Sequence, residues 1–265
     1  MAGIGPQPCV QPKPMPSELL ILIPLFAVIA FFYSSVGLGG GSSYTATLAV
    51  VGVSYVVIPT LSLTLNILVT AGATWHFARQ GHLKVRIIVP LLAASIPTAW
   101  IGGRLQLSEE IFQILLLATL LMVAVRIYFW ADPVFRLPQG KGFLLGLSLV
   151  LGGVLGFIAG AVGIGGGIYL VPVILMTGIG TTKEASATGA AFILFNSITG
   201  VAARASWSEL PWDLVVPLAI TVTVAGYVGS HMGAARWQAR TIQRVLGGII
   251  LVAILLLARR IVMGL

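Results

Sequence analysis

Two glycine-rich stretches, VGLGGG at 36–41 and VGIGGG at 162–167, have the residue types and spacing best suited to chemistry in this sequence. Glycine costs a helix about 1 kcal/mol relative to alanine, so three consecutive glycines should interrupt a helix. A helix that begins just after such a break offers backbone N–H groups and a partial positive charge, which together bind anions. The candidate binding glycines are Gly39, Gly40, Gly41, Gly165, Gly166 and Gly167.

Close packing of helices is the alternative role for these glycines. Glycines in membrane helices often only let neighbouring helices approach closely, and this chain has 32 of them. A dinucleotide-binding G-x-G-x-x-G motif is excluded, because its sixth place is Ser42 or Ile168. The length of the apolar segments favours broken helices: Leu19 to Val53 is 35 residues, about 52 Å as one helix, which is too long for one straight span.

Polar side chains near the two motifs are candidate substrate contacts. Asn66 and Asn196 lie in the middle of the apolar segments that follow the motifs, and an amide inside a membrane helix must face protein or substrate. An interhelical hydrogen bond is the equal alternative. Ser62 and Thr188 lie a turn or two earlier, although such hydroxyls often bond to the carbonyl four residues before. The hydroxyls of Ser42 and Ser43, directly after the first motif, complete this set.

Five cationic or titratable side chains lie towards the ends of the apolar segments: His76, Arg79, Arg104, Arg204 and His231. Arginine at such a place is usually an interfacial anchor, and contact with an anion is the alternative. The two histidines are also the candidates for carrying a proton, because no Asp or Glu lies in the middle of a segment. We predict neither a metal site nor a cofactor.

The composition indicates an integral membrane protein. The chain is 58% hydrophobic and 8% charged, whereas soluble domains carry about 25% charged residues. The net charge of +8 is attributed to loops and helix ends near lipid headgroups rather than to a nucleic-acid surface. Ten apolar segments are predicted: 19–36, 42–53, 57–78, 87–104, 111–130, 143–160, 167–178, 185–203, 214–235 and 245–262.

An internal duplication organises these segments. The glycine motifs are 126 residues apart, and IVPLLAASIPTAWIGGR at 88–104 matches VVPLAITVTVAGYVGSH at 215–231 with a separation of 127. Asn66 pairs with Asn196 at a separation of 130, if a small insertion precedes Asn196. The predicted fold is therefore an all-α polytopic membrane protein with two homologous repeats of about four segments. Its parts are a disordered tail at 1–18, repeat 1 at 19–130, a linker at 131–142 and repeat 2 at 143–262.

The relative orientation of the repeats depends on how often each one crosses the membrane. An odd number of crossings, with a re-entrant hairpin at each glycine break, gives inverted repeats whose breaks meet near the midplane. Four crossings give parallel repeats. Basic residues accumulate at cytoplasmic ends, and this rule favours inversion by a small margin. The predicted cytoplasmic set is Arg79, Lys84, Arg86, Arg126, Arg136 and Lys141.

The order and duplication of these motifs resemble the TauE/SafE sulfite exporter family. The resemblance rests on the doubled G-x-G-G-G, the continuation GGGIYLVPVIL, the following ATGAAFILFN, and a proline-containing helix that ends in small residues. It covers nearly the whole chain beyond residue 18, and the first copy departs from it as GGGSSYTATLAV. It implies a multi-pass permease of the bacterial inner membrane for sulfite, sulfoacetate or a related organosulfonate. Formation of a homo-oligomer is compatible with this resemblance.

Two other functions remain to be distinguished. A passive anion channel would share this architecture, and counterflow kinetics would separate it from a carrier. An intramembrane serine hydrolase would use Ser42 or Ser43 with His76 or His231. We disfavour an enzyme, because the G-x-S-G context is absent and the second glycine motif has no serine after it.

Overall fold

The computed structural model describes residues 16–129, 140–204, 210–236, 248, 250–252 and 254–259. The described residues form helices and connecting turns without strands, which confirms the predicted all-α polytopic fold, and the helices coincide with the predicted apolar segments. They are α1 (Pro16–Ser35), α2 (Gly41–Val51), α3 (Val57–Arg79), α4 (Val85–Arg104), α5 (Glu109–Phe129), α6 (Lys141–Val162), α7 (Gly167–Met176), α8 (Thr182–Ala203), α9 (Trp212–Arg236) and α10 (Ile250–Arg259). Most of the predicted tail and linker lies outside the described residues.

Five of the described helices have the length and composition of membrane spans: α3, α4, α8, residues Gly142–Val162 of α6 and residues Trp212–Met232 of α9. Two of these spans, α3 and α8, are buried along most of their length by other helices of the chain, whereas only a small part of α6 is buried. The centre of the molecule is therefore the pair α3 and α8, which directly follow the two glycine motifs.

The first glycine motif interrupts the helix between α1 and α2. Gly37 and Gly40 have φ values of 75° and 89°, a left-handed conformation that favours glycine. α2 then returns antiparallel to α3: Gly41 faces Asn66 near the middle of α3, and the Thr45 hydroxyl donates to Ser62 one turn earlier on α3. α1 and α2 are therefore a helical hairpin with the break at its tip.

The second glycine motif forms the same hairpin between α6 and α7. Gly163, Gly165 and Gly166 have φ values of 82°, 84° and 75°. α7 returns antiparallel to α8, because a Cβ on Gly189 would meet Val171, and one on Gly180 would meet Ile174. Both predicted breaks are therefore present, each followed by a helix too short to cross the membrane.

The helices of the two halves pack in matching pairs. α4 packs on α6 as α9 packs on α1, α3 packs on α9 as α8 packs on α4, and α2 packs on α3 as α7 packs on α8. The register matches too. A Cβ on Gly102 of α4 would strike the carbonyl oxygen of Phe157 on α6. In the matching pair, a Cβ on Gly229 of α9 would strike the carbonyl oxygen of Phe31 on α1. Gly229 follows Gly102 by 127 residues, and Phe31 precedes Phe157 by 126. The exact repeat boundaries stay a prediction.

α3 and α8 cross antiparallel at the centre. Phe77 near the end of α3 packs with Ala187 near the start of α8, and Leu63 near the start of α3 meets Gly200 near the end of α8. A salt bridge of 3.7 Å between Lys84 and Glu184 joins the turn after α3 to the first turn of α8. Antiparallel packing of equivalent helices favours inverted repeats, which stay a prediction.

These contacts define two ends of the molecule. The Lys84 face is the end at which α3 finishes and both α4 and α8 begin, around Gln80–Val85 and Thr181–Glu184. The Arg104 face is the opposite end, at which α3 begins and both α4 and α8 finish. Arg104 and Arg204 lie at the Arg104 face, whereas His76 and Arg79 lie towards the Lys84 face.

A ladder of small residues holds α4 against α6. Glycines at every fourth position of α6 lie against the backbone of α4, so closely that a Cβ would strike a carbonyl oxygen of α4 at each step. The two helices run parallel, as the order of the contacts requires. The pairs are Gly152 with Leu91, Gly156 with Ser95 and Gly160 with Ala99. For these glycines the close-packing interpretation is correct.

Candidate functional site

The two glycine breaks meet at the side chain of Asn66, near the middle of α3. A Cβ built on Gly39 would lie 2.5 Å from Asn66 Oδ1, and one on Gly165 would lie 3.0 Å from Asn66 Nδ2. A Cβ on Gly41 would overlap the same amide nitrogen. The bare backbone of both breaks is therefore what lets them approach one side-chain amide.

The two breaks also touch each other. A Cβ on Gly41 would lie 2.5 Å from the carbonyl oxygen of Ile164, within the second motif. The hydroxyl of Thr45 on α2 lies 3.5 Å from the carbonyl oxygen of Gly163. Backbone segments 126 residues apart in the sequence thus form a single cluster at the α3–α8 crossing.

Two helices begin at this cluster without a side-chain cap. α2 starts at Gly41 and α7 at Gly167, and their N-cap residues, Gly40 and Gly166, make no side-chain capping hydrogen bond. The first turns of both helices are buried. Because the first N–H groups of a helix need acceptors and carry the positive end of its dipole, this arrangement suits an anion.

The side-chain amide of Asn66 lacks hydrogen bonds, as does the buried hydroxyl of Tyr44 beside Gly40. Asn66 is fully buried, and neither Oδ1 nor Nδ2 has a hydrogen-bond partner. Leaving a buried amide unpaired costs about 1–3 kcal/mol. A ligand that accepts from Nδ2 would remove part of that cost, so Asn66 can both bind a ligand and orient it.

The serine candidates are occupied by protein contacts. The Tyr33 hydroxyl is hydrogen-bonded with Ser43 Oγ at 2.8 Å and with Ser42 Oγ at 3.2 Å. Ser62 Oγ accepts from Thr45 Oγ1 at 2.9 Å. These bonds tie α2 to α1 on one side and to α3 on the other, so the three serines position the start of α2.

Tyr33 belongs to the site although no sequence pattern singled it out, whereas Thr45 lies in the hydroxyl-rich stretch that follows the first glycine motif. A lone tyrosine in an apolar helix has no spacing that marks it as part of a site. A signal was nevertheless available, because a buried tyrosine hydroxyl needs a partner, and the hydroxyl-rich stretch at 42–45 could supply one.

Thr188 and Asn196 lie on α8 with buried polar atoms. The Thr188 hydroxyl and Asn196 Oδ1 have no hydrogen-bond partner, while Asn196 Nδ2 donates to the carbonyl of Phe192 at 2.8 Å. Thr188 is next to Gly189, where a Cβ would lie 3.5 Å from the carbonyl oxygen of Gly37. Thr188 is thus beside the first break, and Asn196 is two turns further along α8.

The predicted equivalence of Asn66 and Asn196 is wrong. Gly39 and Gly41 both face Asn66, while their counterparts Gly165 and Gly167 both face Ile193. Ile193 follows Asn66 by 127 residues, so the halves stay aligned through α8, and no insertion shifts the register to 130. The site is therefore asymmetric, with two helix starts but a single amide at the matching place.

The cationic candidates separate into two groups at opposite faces. At the Arg104 face, Arg104 and Arg204 line a cavity of about 610 Å³. Arg204 donates to the carbonyls of Ala161 at 2.9 Å and Gly200 at 3.4 Å, and burial lowers its pKa to about 10. The Arg104 guanidinium lies 4.9 Å above the ring of Trp100. Neither residue belongs to the cluster around Asn66.

The second group lies towards the Lys84 face, where α3 meets α9. His76 Nδ1 is 2.9 Å from Ser230 Oγ, and its ring is 5.5 Å from that of His231. Because the Ser230 hydroxyl donates to the carbonyl of Tyr227, its oxygen accepts from His76 Nδ1. Arg79 lies 4.7 Å above the exposed ring of Trp75, a contact typical of an interfacial anchor.

Comparisons with known proteins agree with one another. The family model described as "Sulfite exporter TauE/SafE" matches residues 22–257. A relative from Sinorhizobium fredii, described as "Probable membrane transporter protein y4hK", is 32% identical over 244 residues. That match covers 90% of this chain and 98% of the relative. No solved structure gives a significant match.

Proposed function

The chain belongs to the TauE/SafE sulfite exporter family of membrane transporters, and on this premise we propose its substrate and mechanism. The substrate is a small sulfur-containing anion, such as sulfite, sulfoacetate or a related organosulfonate. The protein binds it where the two glycine breaks meet and moves it across the membrane by alternating access around that point.

One observation carries the proposal: the uncapped, buried start of α2 and Gly165, in the break just before the uncapped start of α7, lie against the unpaired amide of Asn66. Inside a membrane an anion cannot keep its water, and backbone N–H groups with helix dipoles are a substitute that adds no cation. The oxygens of a sulfite or sulfonate group are several and lie close together, so they can accept from both helix starts and from Asn66 Nδ2 at once.

The hairpins offer a way to alternate access. Each break is the tip of a hairpin, and the two hairpins approach each other at Gly41 and Ile164. Movement of one half relative to the other would separate these tips first on one side and then on the other, while the helix starts kept hold of the anion. Rocking of this kind around a central site is the usual behaviour of inverted repeats.

A carrier is favoured over a channel by the burial of the site. Asn66 is fully buried and the break residues around it are buried too, so the anion site is closed by protein contacts in this conformation. A carrier requires such a closed state, whereas a channel must open to both sides at once.

Uptake by reconstituted protein tests the proposal. Liposomes that contain the protein should take up labelled sulfite or sulfoacetate with saturable kinetics, and internal unlabelled anion should accelerate the entry of labelled anion. Chloride and a neutral sugar are the comparison solutes. Linear, non-saturable flux would favour the channel, and equal behaviour of chloride and both sulfur anions would refute the substrate class.

A further inference from the structure

The cavity at the Arg104 face is set apart from the binding cluster but adjoins it. Its lining includes Tyr55 before α3 and Pro59 in the first turn of α3, Arg104 at the end of α4 and Gln106 after it, and Ala161 and Arg204. Pro59 is also the residue that a Cβ on Gly163 would strike at 2.5 Å. The wall of the cavity is therefore the beginning of the second glycine break.

The charged side chains in the described part of the cavity lining are both cationic. Two guanidinium groups line the cavity, and none of the lining residues that the structure describes is acidic. The carbonyls of Ala161 and Gly200 accept from the Arg204 guanidinium and hold its plane. Arginine in a fixed plane pairs with the oxygens of sulfonate-like groups through its parallel N–H donors.

The corresponding place at the other end of the molecule is closed. Gly103 meets Ala203 beside the cavity, where a Cβ on Gly103 would lie 2.8 Å from the Ala203 side chain. The residues 127 positions away from these two are Ser230 and His76, and they are hydrogen-bonded at 2.9 Å. The space beside the cavity is open because the side chains of Gly103 and Ala203 are small, whereas the hydrogen-bonded His76 imidazole fills the matching space at the other end.

From this comparison, and resting on the proposed anion transport, we propose that the cavity at the Arg104 face is one mouth of the transport pathway and contains a second anion subsite. A small sulfonate or related oxyanion is held there between Arg104 and Arg204, next to the break that leads to Asn66. In this conformation the cavity opens at the Arg104 face and the second glycine break separates it from Asn66, while His76 and Ser230 fill the corresponding mouth.

Cysteine modification by charged reagents tests the subsite without knowledge of the substrate. In a Cys9→Ser background, Gln106→Cys places a thiol in the cavity. We would compare its reaction rates with anionic sulfonatoethyl methanethiosulfonate and with the cationic trimethylammonioethyl reagent. The rates of both reagents with free 2-mercaptoethanol are the reference, and relative to them the anionic preference at Gln106→Cys should be about tenfold. Gln80→Cys, in the turn between α3 and α4, is a control only for protection by an added anion, because it lies beside Arg79.

Removal of a cavity charge should abolish most of that preference. Arg104→Gln is the first variant, because Arg104 is exposed and its loss should leave folding intact. Arg204→Gln is the second, with thermal unfolding measured alongside because Arg204 bonds two carbonyls. Sulfoacetate should slow modification at Gln106→Cys and leave Gln80→Cys unaffected.

The outcomes separate this inference from the proposed function. An anionic preference at Gln106→Cys that Arg104→Gln and a well-folded Arg204→Gln leave unchanged would overturn the subsite. If sulfoacetate nevertheless protects the parent protein against heat, the site at Asn66 survives and the subsite alone fails. If sulfoacetate neither protects the parent against heat nor slows modification, the proposed function fails with it.

Discussion

Asn66 illustrates how a buried polar group that lowers the stability of the ligand-free protein can identify a binding residue. Its amide is fully buried and unpaired, although a buried amide normally finds partners. The sequence predicted this residue, because an amide in the middle of a membrane segment is conspicuous. The sequence also proposed Asn196 as its equivalent, and contacts with the glycine breaks place Ile193 there instead. Sequence identity of two asparagines was a weaker guide than the constant spacing of the halves.

The first prediction concerns the sign of a stability change. Asn66→Leu replaces the unpaired amide with an apolar group of similar shape, so it should stabilise the protein by about 1 kcal/mol. The same change should remove anion binding. Thermal unfolding of purified protein without ligand measures the first effect. A large loss of stability would mean that Asn66 is a structural residue.

At the level of secondary-structure elements, the glycines have three structural roles that the amino-acid composition does not distinguish. Gly40 and Gly166 adopt left-handed backbone conformations at the breaks, Gly39 and Gly41 make room for the Asn66 amide, and Gly152, Gly156 and Gly160 let α6 approach α4. The repeated motif and over-long segments were enough to predict the breaks. The direction in which each short helix returns depends on contacts across the chain, which no local pattern reveals.

Substitution by alanine should affect anion binding at Gly39 and stability at Gly40, although the two glycines are neighbours in the first break. Gly39 has no left-handed conformation to lose, and its Cβ would press on Asn66 Oδ1. Gly39→Ala should therefore weaken anion binding about tenfold or more, through displacement of the amide. Gly40→Ala should instead cost about 1–2 kcal/mol of stability, because alanine resists that backbone conformation. Anion titration and thermal unfolding of both variants separate the two effects.

Gly153→Ala is the matched control for both variants. It lies within α6, and its Cβ would meet Thr98 at an ordinary contact distance of 3.9 Å. It should bind anion like the parent and unfold at the same temperature or slightly above. Equal loss of binding in Gly39→Ala and this control would show that the first break is scaffold.

The α4–α6 ladder gives a further prediction, at one of its steps. A Cβ on Gly156 would lie 2.5 Å from the Ser95 carbonyl oxygen, whereas one on Gly146 in the same helix would meet nothing within 4 Å. Gly156→Ala should therefore destabilise the protein by about 1–3 kcal/mol through overpacking. Gly146→Ala should be neutral or mildly stabilising. Thermal unfolding of the pair checks this, and equal midpoints would contradict the ladder.

At the scale of the whole molecule, the ends differ in charge as well as in openness. Arg79, Lys84, Arg86 and Lys183 belong to the Lys84 face, whereas Arg104 and Arg204 belong to the Arg104 face together with the acids Glu109, Glu110 and Asp213. The positive-inside rule therefore predicts that the Lys84 face is cytoplasmic. From the sequence alone the orientation was close to undecided, because half of the relevant charges could not be assigned to a side before α3 and α8 were seen to cross antiparallel.

Cysteine accessibility tests this topology together with the inversion of the repeats. With Cys9 replaced by serine, single cysteines at Gln80 and Thr182 should both be protected from a membrane-impermeant maleimide in intact cells. A cysteine at Gln106 should react. All three residues are exposed at helix ends or turns. Reaction of only one of the first two would indicate parallel repeats.

The measurement that tests the central claim most directly is calorimetric titration of purified protein with sulfite and with sulfoacetate. The parent, Asn66→Leu and Gly153→Ala would be titrated in parallel, after thermal unfolding has shown that each is folded. The account predicts saturable binding of at least one of these anions to the parent and to Gly153→Ala, and none to a well-folded Asn66→Leu. Binding to Asn66→Leu with the affinity of the parent would contradict an anion site where the two glycine breaks meet.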